Sequence, residues 1–91
     1  MAFEPAQVNA AVEIANPEHP AFAVVTEHKR RLGQRLAELV AEAGIPEPEQ
    51  VAADIVVIYE GTITALLLDL DSAPFERARR LAGEALRAAG L

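Results

Sequence analysis

Apolar residues recur along this chain at helical spacing, in stretches separated by proline, and they nowhere alternate with polar ones over a useful length. Helices are therefore the expected elements and strands are not. The first stretch, 5–15, opens on Pro5, which suits a first helical turn, and sets Val8, Ala11, Val12 and Ala15 on one face. "NPEHP" at 16–20 ends it, because two prolines so close exclude a continuous helix. The second stretch, 20–43, carries Phe22, Val25, Leu32, Leu36, Leu39, Val40 and Ala43 as a stripe, with Glu27, Arg31, Glu38 and Glu42 pointing away. Gly44, Ile45 and Pro46 read as its stop, with the glycine just past the last turn.

The third stretch, 48–69, is apolar on nearly every side. Glu47 is placed to cap it and Pro48 fits its first turn. At 100° per residue Val51, Ile55, Ile58, Thr62 and Leu66 share a face, and Val56, Tyr59, Ile63 and Leu67 widen it past half the circumference. Val57 and Leu68 sit opposite. A helix apolar nearly all round needs partners on several sides. Gly61 and Ala65 leave a shallow strip where another helix can come close, which is a packing reason for a glycine that costs about 1 kcal/mol relative to alanine in mid-helix. The fourth stretch, 74–89, has Ser72 or Ala73 as its cap, Pro74 in its first turn and Gly90 as its stop. Phe75, Ala78, Leu81, Ala82, Ala85, Leu86 and Ala89 fill one arc of it, and Glu76, Arg77, Arg80, Glu84 and Arg87 the other. The expected fold is all-α with four helices, the last two forming a four-helix-bundle dimer interface with a second copy. Ile58, Gly61, Ala65, Leu68, Ala78, Leu81, Ala82, Ala85 and Ala89 are the expected interface residues.

Size strengthens the case for association. A chain of 91 residues makes one domain, 1–91, and much of its apolar content is alanine, so its own core is small. The formal net charge is −6. Its basic residues, Lys29, Arg30, Arg31 and Arg35, then Arg77, Arg79, Arg80 and Arg87, interleave with glutamates as on a solvated face, with no nucleic-acid footprint. There is no cysteine, hence no disulfide, thiolate nucleophile or Cys-based metal site. The first ten residues lack the basic and apolar regions of a signal peptide, and the longest strictly apolar runs are four or so residues against the ~20 that span a bilayer. A cytoplasmic bacterial-type protein is the expectation.

The chemistry available is thin. Ser72 reads as a turn residue, and no nucleophile elbow, phosphate loop or H-E-x-x-H pattern is present. His19, in the turn before Pro20, reads as a local hydrogen-bonding residue, and His19 and His28 lack a third strong ligand for zinc. Glu60 reads either as part of a solvated strip with Thr64 or as a polar anchor in a cavity or interface. Lys29 falls inside the apolar stripe of its helix; it either snorkels to water or faces an acidic ligand. With Phe22, Thr26, Tyr59, Thr62 and Ile63 it makes the candidate ligand pocket, mostly apolar with a few polar groups. No enzyme activity, cofactor or metal is expected.

The order "QVNAAVE", "NPEHPAF", then "EHKRRLGQRLAELVAEAGIPEPEQVAADIVVIYEGTITALLLDLDSAPFERARRLAGEAL" resembles the C-terminal part of TetR/AcrR-type transcriptional regulators. The likeness covers nearly the whole chain and lies in the order and spacing of its parts rather than in one motif. It implies a C-terminal domain that binds a small effector and dimerises through its last two helices. In that family a separate N-terminal helix-turn-helix module reads operator DNA, and nothing in this chain corresponds to it. The alternative expectation is a stand-alone helical dimerisation or protein-interaction module that binds no effector.

Overall fold

The computed structural model describes residues 16–91. They form three helices, α1 (Phe22–Glu42), α2 (Pro48–Leu67) and α3 (Pro74–Ala88), and no strand. The all-α class stands, and the count of four helices is corrected to three among the described residues. The expected first helix, 5–15, lies outside them.

All three helices end in the same way. Gly44 takes φ 78°; its N–H bonds the Ala41 carbonyl at 3.0 Å, and the Ile45 N–H bonds the Val40 carbonyl at 3.3 Å. These are the paired bonds of a Schellman stop, which satisfy carbonyls the helix leaves free. α2 repeats it with Asp69 in the left-handed position at φ 53° and Leu70 bonded back to Ala65. α3 repeats it with Gly90 at φ 117° and Leu91 bonded back to Leu86. The starts are less regular. Glu47 precedes α2 with φ 53° and its side chain makes no capping bond, so the expected cap is absent. Ser72 does not cap α3 either. Asp71 organises that turn instead, accepting the Ala73 N–H at 3.2 Å and pairing with Arg77.

The first Schellman stop also makes the core. It turns Ile45 back onto Val40, and both pack with Val51 at 5% exposure. Ile55 of α2 and Leu86 and Ala89 of α3 close over them. The core therefore sits at one end, where the end of α1, the start of α2 and the end of α3 meet. α2 packs on both neighbours, and the chain measures 43 × 32 × 12 Å. Packed helix layers stand 8–10 Å apart and each adds its own width, so a 12 Å thickness holds one layer. The radius of gyration, 15.1 Å, exceeds the ~12 Å of a compact domain of this length for the same reason. Among the described residues that layer leaves two faces open.

Candidate functional site

One open face carries five of the nine residues that the pattern assigns to an interface. α2 and α3 leave a groove of about 280 Å³ between them, lined by Val57, Ile58, Gly61, Ala65, Ala78 and Leu81, with Thr62, Asp71, Pro74 and Arg77 completing it. Ile58, Gly61, Ala65, Ala78 and Leu81 come together there as expected neighbours. Ala89 instead packs on the core, Ala82 and Ala85 are half-buried on α3, and Leu68 is half-buried at the end of α2. Gly61 faces empty space: a Cβ built on it meets nothing within 4 Å. Val57 stands beside it, 71% exposed. Its place opposite the main apolar arc of α2 is the signal in the sequence that it belongs to this groove.

The same face continues over α1. A wider groove of about 630 Å³ runs between α1 and α2, walled by Gly33, Ala37, Ala41, Ala52 and Ala53 and edged by Gln34, Glu38, Pro48 and Glu49. Small side chains thus wall much of this face, with Glu38 of α1 and Glu49 of α2 at its edges.

The candidate ligand residues sort differently. Lys29 bridges α1 to α2 with its Nζ 2.6 Å from Glu60 Oε1, and lies over the Tyr59 ring at 5.3 Å from its centroid. Nothing in the spacing of Lys29 and Glu60 announces a pair; the structure makes them each other's partner. Glu60 Oε1 is shielded from water, and the Lys29 ammonium is the charge that faces it. Phe22 and Ile63 are half-buried and Thr26 is exposed. Thr62 lines the α2–α3 groove and returns its hydroxyl to the Ile58 carbonyl at 2.6 Å. Of the expected pocket, then, Lys29 and Tyr59 are in contact, and Thr62 faces a different groove.

Electrostatics at the surface are local. Glu27 accepts from both Arg30 and Arg31, and these hydrogen bonds hold its carboxyl down from 4.5 to about 2. Arg77 and the backbone N–H of Ala73 hold the Asp71 carboxyl below the ordinary range in the same way. Arg35 pairs with Glu38, and Arg80 with Glu84 at i,i+4. His19 stays in its turn, its Nδ1 accepting the Ala21 N–H at 3.0 Å. Among the described residues no three His, Cys, Asp or Glu side chains gather as a metal would require.

α2 is long and apolar enough to cross a membrane by length and composition. Here it is the central helix of the layer. Counting strictly unbroken apolar runs does not reveal this, because Asp54, Glu60 and the threonines interrupt them without lowering the average far. No protein family, curated protein or solved structure matches the chain.

Proposed function

We propose that this chain is the dimerisation and effector-binding domain of a TetR-type transcriptional regulator, cytoplasmic and without catalytic activity, and that dimerisation is the task of the α2–α3 face. The observation that carries the dimer is the open groove at Gly61. A mid-helix glycine that meets nothing among the described residues, flanked by exposed Val57 and by alanines, is what a closely approaching second backbone requires. The order of the sequence motifs supports the regulator reading. An effector would bind on the α1–α2 side, where Lys29 and Tyr59 meet, and would compete with Glu60 for the ammonium.

A fusion tests dimerisation and regulation together. The chain is joined to a helix-turn-helix module that represses a reporter only as a dimer. Repression is the expected result, and Gly61→Leu in the fusion removes it while the protein accumulates normally. A fusion that leaves the reporter unrepressed defeats the proposal.

A further inference from the structure

The two ends of the layer differ. The buried cluster holds the end where α1 stops, α2 begins and α3 closes. The other end carries Leu66 and Leu67 of α2, Leu70 of its stop and Phe75 in the first turn of α3. All four are at least 43% exposed, and the core cluster reaches none of them. Large apolar side chains gathered in the open mark a surface with an occupant.

The chain enters at that same end. α1 and α2 run antiparallel, with Lys29 against Glu60 and Gly33 against Val56. A step of four along α1 is a step of four back along α2, so the register sets Phe22 beside Leu67. The turn ahead of α1 is held by hydrogen bonds. The His19 N–H donates to the Asn16 carbonyl at 2.9 Å, the Phe22 N–H to the His19 carbonyl at 2.9 Å, and the Ala21 N–H to His19 Nδ1 at 3.0 Å. Residues 1–15 therefore join the described chain next to the open leucines.

We infer that residues 1–15 are the occupant of this end, seated on Leu66, Leu67, Leu70 and Phe75 through Val8 and Val12. Three arguments favour them. Their pattern fits, since at 100° per residue Val8, Ala11, Val12 and Ala15 share a side and Asn9 and Glu13 turn away. Their length fits. A helix over 5–15 is about 16 Å long at 1.5 Å per residue, and two interaxial spacings of about 8–10 Å separate α1 from α3 across α2. Their attachment favours them over a second copy. A segment on a short tether is present at an effective concentration of roughly 1 mM, so a copy at about 10 μM has to bind about a hundredfold tighter to displace it. The inference does not rest on the α2–α3 groove as a dimer seat. It also leaves Lys29 and Tyr59 free, about two turns earlier along α2.

Amide NMR of the full chain tests it, with far-UV circular dichroism to show that each variant keeps its helices. Val8→Ser combined with Val12→Ser is expected to shift the resonances of Leu66, Leu67, Leu70 and Phe75 and to leave those of Ile45 and Val51 in place. Leu66→Ala is expected to shift the resonances of residues 5–15 in return. Shifts from the valine variant that stay within the residues ahead of α1 overturn the inference. Shifts centred on Gly61 and Ala78 overturn it as well, because they put the segment in the groove. A second copy is tested in Gly61→Leu, where the groove is blocked: resonances of Leu67 and Phe75 that move on dilution assign the end to that copy and overturn the inference, and resonances that hold still support it.

Discussion

Gly61 is the residue on which the account turns, and two substitutions there give opposite signs. In an isolated chain Gly61→Ala meets nothing within 4 Å and gains helix propensity, so the monomer's stability in urea rises by about 0.8–1 kcal/mol. At a close seam even a methyl group separates the backbones, so the same variant weakens association; measuring both quantities on one sample detects the trade. Equal gains in stability and association would place Gly61 outside any seam. Lys29 and Glu60 set a second case. Their side chains are 35% and 43% exposed, so the pair contributes little: a double-mutant cycle with Lys29→Met and Glu60→Gln gives a coupling below about 1 kcal/mol, falling as salt is raised. A coupling of several kcal/mol would contradict that view. The sequence shows each residue's anomaly, a lysine inside an apolar stripe and a glutamate inside an apolar helix. It does not show that the two anomalies cancel, because their meeting depends on the register of two helices 31 positions apart.

At the scale of the elements, the stops are read more securely than the starts. Gly44 and Gly90 announce their Schellman turns by type. Asp69 does the same work with a side chain that the left-handed region disfavours, so Asp69→Gly raises stability by about 0.5–1 kcal/mol in chemical denaturation. No gain would mean that Asp69 holds its turn by contacts a glycine lacks. The starts mislead because proline marks the first turn without identifying the cap, and Asp71 acts through the N–H two residues ahead. Asp71 also links this turn to pH. Its pKa is depressed in the folded chain, so the stabilisation it gives is complete above the ordinary carboxylate pKa of about 3.9 and is lost as pH falls through the lower folded value. Glu27 behaves likewise from about 4.5 down to about 2. Asp71→Asn is expected to flatten the acid limb of stability below about pH 4, and an unchanged limb would show the Arg77 pair to be inert in solution.

As a whole, the described residues form a single layer whose core is confined to one end, and that shape controls both stability and partnership. With Val40, Ile45 and Val51 forming the buried cluster, Ile45→Ala is expected to cost about 2–4 kcal/mol and to leave the isolated chain barely folded. A loss under 1 kcal/mol would locate the stability elsewhere. The sequence tells that α2 must be covered on several sides, since its apolar arc exceeds half the circumference. It does not tell which sides its own neighbours cover, and the structure answers with α1 and α3 on two flanks and, among the described residues, nothing on the faces between. The chain has no cysteine, so a single introduced thiol reports on one position cleanly. The most direct measurement is mild oxidation of Ala65→Cys beside Arg31→Cys on the outer side of α1. Thiols join only when their Cα atoms come within about 7 Å. A covalent two-chain species from Ala65→Cys and none from Arg31→Cys is the predicted result. No cross-link at Ala65, or equal cross-linking at both, would contradict the claim that a second copy sits in the α2–α3 groove.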